Sequence, residues 1–129
     1  GASSGMNMYI DGIDRTSRTS SGSYSFMDNT SATLTLGLQK STSQFLDGIL
    51  DEVMLWQEDF SISQVRLLYN SGYPIDPRVL FPSSTLRAYW RMGDDSVYPT
   101  IVDSADEGLN DGTMQNMVAD NIKTDVPQQ

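Results

Sequence analysis

The sequence contains no cysteine and no histidine, and these two absences remove several kinds of chemistry. Without cysteine, no disulfide and no thiolate metal site can form, and the redox compartment cannot be read from cysteine usage. Without histidine, the chain holds no Ser-His-Asp or Cys-His nucleophile and no histidine-ligated zinc or copper. The common hydrolase arrangements are therefore excluded within this chain.

Basic residues are also scarce. Eight Lys and Arg stand against seventeen Asp and Glu, which gives a net charge of −9. Phosphate backbones would repel such a surface, so the sequence predicts no nucleic-acid partner. Anionic membranes are disfavoured for the same reason. No apolar run approaches the length of a transmembrane span, so we expect no membrane insertion.

What is present fits a folded chain of about one domain. The 129 residues are 38% hydrophobic and 19% charged, with many small polar residues in turns. A chain of this size buries enough apolar surface for a core without disulfides or metals. Residues 1–5 read as a linker or a cleaved N-terminal remnant.

The most informative stretch is residues 45–72, FLDGILDEVMLWQEDFSISQVRLLYNSG. Residues 49–56 carry apolar side chains on both parities, which predicts a strand covered on both faces. Ser61 and Gln64 form an S-x-x-Q capping box ahead of a helix with one apolar face. Asn70 and the glycine that follows provide the stop. The pattern predicts one short helix near 61–70.

Shorter strand signals surround this stretch. Leucines alternate in ATLTLGLQ, residues 32–39, which predicts a half-buried strand. In LRAYWRM, residues 86–92, Leu86, Ala88 and Trp90 alternate with Arg87, Tyr89 and Arg91. Asp-Gly pairs at 11–12 and 111–112 predict hairpin turns.

The order of these motifs resembles a known family. A D-G-x-L-D-E-V-x-L-W strand followed by a helix ending in L-Y-N-x-G is similar to the closing segment of laminin-G-like domains, which belong to the concanavalin A-like jelly rolls. M-Y-I-D-G and L-T-L-G-L match hairpins and strands upstream in that family. The resemblance implies an all-β jelly-roll sandwich with one short helix, and similar modules occur in bacteriophage and marine microbial structural proteins. It implies a fold and not a single function.

The later motifs are those of an opening segment. A-Y-W-R-M-G-D-D, I-V-D-S and N-D-G-T-M resemble the start of a laminin-G-like domain, although they follow the closing motifs. Residues 6–72 thus read as the closing half of the jelly roll and 73–85 as a Pro-containing connection. Residues 86–129 either complete the sandwich or start a second module. The chain is then a fragment, a permuted domain, or part of a larger protein whose missing strands come from elsewhere.

Carboxylates are the only catalytic raw material. A glycosidase needs two carboxyl groups facing each other across a sugar. Asp51 and Glu52 are adjacent, so on a strand they point to opposite faces. The E-x-D-x-x-E run of jelly-roll glucanases is missing. The sequence therefore predicts no catalytic residue and no enzyme.

Calcium is a more plausible ligand, since it takes six to eight oxygen ligands from loops, and many concanavalin A-like domains hold such an ion. The candidate metal ligands are Asp94, Asp95 and Asp103, with Asp51 or Asp47 if the strands are adjacent. The alternative is that these aspartates are turn residues or solvated loop residues.

Sugar binding would use exposed aromatic rings. Tyr73, Tyr98 and Tyr24 lie in loops or at edges and are the candidate ligand-binding residues. Trp56 and Trp90 lie within apolar strands and are expected in the core.

These observations favour a non-catalytic structural or adhesion module, with possible glycan binding. We expect it in a virion, as a capsid decoration, fibre or tail, or in an extracellular or cell-surface assembly. Its partners would be other subunits, so the chain is expected to be oligomeric or part of a larger chain. The alternative is a calcium-dependent, lectin-like carbohydrate-binding module of a secreted protein or enzyme.

Overall fold

A computed structural model describes residues 7–17, 33–39, 43–73, 75–94, 96–105 and 109–123. The chain divides into two compact units, Gly1–Ile49 and Leu50–Gln129. Within the described ranges the strands pair as four two-stranded antiparallel sheets, β1-β2, β3-β4, β5-β6 and β7-β8. The strands are β1 Tyr9–Ile10, β2 Ile13–Asp14, β3 Leu38–Gln39, β4 Gln44–Phe45, β5 Val53–Trp56, β6 Leu86–Trp90, β7 Thr100–Ile101 and β8 Gly112–Thr113. The helices are α1 Ile62–Tyr69 and α2 Pro77–Leu80, with single 3-10 turns at Asn70–Gly72, Ser83–Thr85 and Ala119–Asn121.

The described residues of the first unit form two antiparallel strand pairs. Asp11 and Gly12 join β1 to β2 with φ angles of 53° and 68°, the left-handed pair that a tight type I′ turn requires. The predicted turn at 11–12 is thereby confirmed. The strand predicted over 32–39 is mostly wrong, because of its described residues, 33–39, only Leu38 and Gln39 pair, with Phe45 and Gln44. Alternation marks a surface that suits a sheet, but a strand also needs a partner for its backbone groups.

The second unit is built on the ladder between β5 and β6. Val53 lies opposite Trp90, Met54 opposite Tyr89 and Leu55 opposite Ala88. Thus a strand from the closing motif pairs with a strand from the opening motif. A smaller ladder places Thr100 opposite Thr113. These sheets are short pairs, and the full jelly-roll sandwich is not formed by the residues that the structure describes.

A register shift in this ladder rearranges β6. Trp56 lies opposite Leu86 although Leu55 lies opposite Ala88, so Arg87 is an extra residue on β6. Such a bulge changes which side chains share a face. Leu86 and Tyr89 therefore join Ala105 in one buried cluster, and the predicted alternation of Leu86 against Tyr89 is wrong.

The two faces of β5 differ. Met54 and Trp56 pack against the buried cluster. Leu55, on the opposite face, is 50% exposed. The prediction of a strand over 49–56 that is covered on both faces is therefore wrong at Leu55, and the strand itself begins only at Val53, with Ile49 93% exposed.

Three aromatic rings close the core beside α1. Trp56 lies 5.2 Å from Phe60 and 5.8 Å from Phe81, and the rings of Phe60 and Phe81 stack at 5.0 Å. Centroid distances in this range are favourable for aromatic pairs. The cluster ties the end of β5 to the segment that follows α2.

The helices begin where side chains can cap them. Ser61 accepts a hydrogen bond from the backbone of Gln64, whose side chain accepts one from the backbone of Ser61, which confirms the capping box and the helix near 61–70. Asn70 ends it in the left-handed conformation. Asp76 caps the additional single-turn helix α2, which begins at Pro77 inside the predicted connection. Neither helix, nor any other in the described part of the chain, has the length and apolarity to cross a membrane.

Candidate functional site

Tyr89 on β6 lies at the centre of the polar contacts in the second unit. Its side chain is almost fully buried, at 1% exposure. Its hydroxyl donates a hydrogen bond to the carboxylate of Glu52, which immediately precedes β5. The guanidinium of Arg78 on α2 lies over its ring, 5.7 Å from the centroid. One side chain therefore connects three parts of the unit.

Arg78 extends these contacts to Asp76 and Ser104. Its Nη2 lies 2.7 Å from Oδ2 of Asp76 in a salt bridge, and its Nη1 donates a hydrogen bond to the carbonyl of Ser104 at 3.0 Å. We call Glu52, Asp76, Arg78, Tyr89, Arg91 and Asp94 the Tyr89 cluster.

Arg91 lies between two carboxylates of the cluster. It donates to Asp94 and places its Nε 3.6 Å from Oε1 of Glu52. Glu52 and Met92, which flank this end of the ladder, both have left-handed backbones, with φ angles of 52° and 50°. Bulky residues adopt this conformation only when their surroundings hold them there. The contacts of Glu52 to Tyr89 and Arg91 supply such a restraint.

Electrostatics in the cluster follow from burial and pairing. Burial raises the pKa of Tyr89 far above its ordinary value, and the hydrogen bond to Glu52 and its negative charge raise it further. The side-chain hydrogen bond from Arg78 lowers the pKa of Asp76. Tyr89 is thus held as a neutral donor among fixed charges. Such an arrangement fixes the positions of β5, β6 and α2 relative to one another.

Asp103 forms a second polar centre next to the cluster. Its Oδ1 accepts the backbone N–H of Tyr89 at 2.8 Å and that of Ala105 at 3.0 Å. Its Oδ2 accepts the backbone N–H and the side-chain amide of Asn110, both at 3.2 Å. Burial alone would raise the pKa of Asp103, but these hydrogen bonds lower it below the ordinary value. The carboxylate joins β6 to the loop before β8.

The predicted metal ligands are not brought together, and those that the structure describes with partners each have different ones. Asp103 receives N–H donors on both oxygens, and Asp94 is paired with Arg91. Asp51 is exposed and accepts the backbone N–H of Glu52 at 2.9 Å. Asp95 lies outside the described residues, and Asp47 is exposed in the first unit. Across the described ranges, no group of three or more acidic side chains is placed to hold a metal ion. Calcium binding stays a prediction.

The predicted sugar-binding tyrosines are solvent-facing where the structure describes them. Tyr73 is 65% exposed and Tyr98 is 44% exposed. Tyr24 lies outside the described residues. Trp90 is buried and Trp56 packs against the core, which confirms their predicted core positions.

Sequence reasoning missed the residues that organise the second unit. The sequence pattern places Tyr89 only in an alternating strand and gives Arg78 no role. It also gives Glu52 no catalytic role, since Asp51 and Glu52 point to opposite faces of a strand. For Glu52 and Tyr89, the available signal is their place in motifs: Glu52 lies in D-E-V-x-L-W and Tyr89 lies in A-Y-W-R-M.

Comparison with known proteins bears on the fold. A laminin-G family model, described as the concanavalin A-like lectin/glucanases superfamily, matches residues 1–66. Neither the curated proteins nor the solved structures contain a match to the chain. The matched residues include both the Y-x-D-G hairpin and the D-E-V-x-L-W strand on β5. The chain therefore belongs to the concanavalin A-like lectin and glucanase superfamily, as the order of its motifs predicts.

Proposed function

We propose that this chain is a non-catalytic structural or adhesion module that other subunits complete, in a virion or in an extracellular or cell-surface assembly. The observation that carries the proposal is the apolar surface of the first unit. Among the described residues of this unit, eight large apolar side chains are between 42% and 93% exposed: Met8, Ile10, Ile13, Leu34, Leu36, Phe45, Leu46 and Ile49. Every buried hydrophobic residue among those described lies in the second unit.

Isolated two-stranded hairpins are marginally stable in water. Covering one such side chain fully contributes about 1.5–3 kcal/mol, so eight of them represent a strong drive towards a partner. Large exposed apolar patches mark interaction sites. An assembly module would use it for subunit contacts.

The contacts of the carboxylates support a non-catalytic role. Glu52 accepts from Tyr89 and lies beside Arg91, and Asp103 accepts four N–H groups. A glycosidase carboxyl must instead face the glycosidic bond or an attacking water. In this chain both side chains serve the fold.

The test is the mass of the chain as a function of concentration, measured by sedimentation. We expect a species larger than the monomer that grows with concentration, and we expect Ile49→Ser to weaken the association. Ile49 is 93% exposed, so the substitution should leave folding intact. Val79→Ser, at a residue 78% exposed in the second unit, is the matched control and should change nothing. A wild-type chain that stays monomeric at every concentration contradicts the proposal.

Glycan binding is the second candidate, favoured by the exposed rings of Tyr73 and Tyr98. Aromatic faces in water stack on sugar rings. A glycan array, repeated with calcium and with EDTA, separates a calcium-dependent lectin from a calcium-independent one. Tyr73→Ala and Tyr98→Ala should each lower the signal, and Tyr69→Ala, at a 39% exposed tyrosine on α1, serves as control. An array without signal, or three variants with equal signal, refutes this candidate.

A further inference from the structure

The direction of the backbone groups of β5 follows from its partner strand. The backbone N–H of Tyr89 donates to Asp103 Oδ1, and its carbonyl accepts from the N–H of Ser104 at 2.7 Å. Both groups of Tyr89 therefore point away from β5. In an antiparallel ladder, opposite residues either exchange both hydrogen bonds or exchange none. Met54, opposite Tyr89, thus directs its own N–H and carbonyl to the outer edge of β5.

The outer edge of β6 has hydrogen-bonding partners, and the outer edge of β5 has none among the described residues. Asp103, Ser104 and Asn110 cover the edge of β6, the last by donating its side-chain amide to the carbonyl of Arg87 at 2.9 Å. Across the described ranges, β5 pairs with β6 alone. Natural edge strands are usually blunted by Lys, Pro or a covering loop. The sequence Val-Met-Leu-Trp of β5 has neither Lys nor Pro, and Leu55 is half exposed.

Two acidic residues follow β5, and the nearby Arg87 side chain is bound to Gln57. Glu58 and Asp59 are exposed and come just after the C-terminal end of β5. An added strand is expected to run antiparallel to β5, because antiparallel pairing is slightly more stable per residue than parallel pairing. Such a strand would bring its N-terminal end next to these carboxylates. Opposite charges at that point would favour pairing. A second copy of this chain carries a net charge of −9, so it would be repelled by these carboxylates and is a poor donor of the added strand.

From these three observations we infer that the outer edge of β5 accepts an antiparallel β-strand with apolar residues at alternate positions and Lys or Arg at its N-terminal end, supplied by a different subunit. The inference rests on the proposed assembly function and names the chemistry of one partner. Strand addition of this kind draws affinity from main-chain hydrogen bonds and specificity from side chains.

The test uses the full chain and synthetic peptides of alternating valine and threonine. One peptide begins with a lysine pair, the second begins with a glutamate pair, and the third ends with the lysine pair. We expect the first to bind most tightly. Two exposed charge pairs of ordinary strength correspond to a difference of about 2- to 30-fold in Kd. The double variant Glu58→Lys, Asp59→Lys should reverse the preference towards the glutamate peptide.

Amide hydrogen exchange locates the binding. The lysine-headed peptide should slow exchange at the N–H of Met54, while the N–H of Val53, which faces β6, keeps its rate. The inference is overturned if no peptide binds, if lysine and glutamate peptides bind equally, or if the Met54 amide is unaffected. A chain that binds the lysine peptide at β5 but never self-associates would remove the proposed contacts between copies through the first unit and leave the edge site standing, so the two failures are distinguishable.

Discussion

Substitution of Asp103 by asparagine should destabilise the second unit strongly although it removes no atom from the core. The carboxylate is 3% exposed and accepts N–H groups of Tyr89, Ala105 and Asn110. Asparagine keeps one oxygen and replaces the other by an NH₂ group, which can only donate. Whichever way the amide is turned, donors then face donors on one side.

The magnitude follows from the bonds lost. In the better orientation, the oxygen stays with Tyr89 and Ala105 and the amide meets the two N–H groups of Asn110. Two hydrogen bonds to a charged group contribute about 1.5–3 kcal/mol each. Asn110 is exposed and can turn to water, so the lower end applies and the expected loss is about 3 kcal/mol. Small domains unfold with about 5–15 kcal/mol in total, so this loss is large.

The assay is urea unfolding followed by tryptophan fluorescence. Trp90 reports directly, since its indole N–H donates to the carbonyl of Asn110 at 2.8 Å. Asp111→Asn is the matched control: Asp111 Oδ1 accepts the N–H of Asp103 at 2.8 Å, and an amide oxygen can do the same. A loss below about 1 kcal/mol for Asp103→Asn, or one equal to that of Asp111→Asn, would refute the reasoning.

The same carboxylate gives a pH dependence with a defined sign. The pKa of Asp103 is lowered from the ordinary 3.8. Its contribution is therefore complete above pH 3.8 and is lost as pH falls from there through the lower folded-state pKa. The slope for one proton is at most about 1.4 kcal/mol per pH unit. Wild type should lose stability more steeply than Asp103→Asn in this window, and parallel curves would contradict the assignment.

Further predictions concern other contacts of the same unit. Folding raises the pKa of Tyr89 from 10.0, so the free energy of unfolding should fall as pH rises above that value. An ultraviolet titration should show one tyrosine that ionises at higher pH than the others, and this step should be missing in Tyr89→Phe. Phe81→Ala opens the aromatic cluster and should cost about 3–5 kcal/mol in urea unfolding, against about zero for Val79→Ala; equal effects would contradict the packing. Ser61→Ala removes the acceptor of the capping box and should cost about 1 kcal/mol, with a lower helical circular dichroism signal; an unchanged signal and stability would show that the cap contributes nothing.

The parts of the fold that could be predicted are those that neighbouring residues decide. Ser61 caps α1 through a hydrogen bond with Gln64, one turn later, so the sequence predicts where α1 begins. Asn70 likewise marks where it ends. The Asp11-Gly12 turn was equally local, because its two left-handed residues set the hairpin. In each case the interacting groups lie within a few positions of one another.

The parts that could not be predicted depend on distant partners. The leucine alternation around Leu36 was clear, but which strand would pair with it was not. The donors that surround Asp103 come from Tyr89 and Asn110, which no spacing rule connects to it. Likewise, the contact of Glu52 with Tyr89 spans the whole of α1 and α2. An acidic residue in a loop reads the same whether it faces a cation or a set of N–H groups.

The pairing of β5 with β6 also sets an order of events during synthesis. Residues 53–56 find their partners 30 to 37 positions later, and each buried hydrophobic residue of the described part comes at Phe81 or beyond. At about 5–20 residues per second, the ribosome delivers β6 about 2–7 s after β5. For those seconds Met54 and Trp56 have no core to join. That interval is open to chaperones and to neighbouring nascent chains, so the speed of translation through residues 57–90 should influence how much of the protein folds.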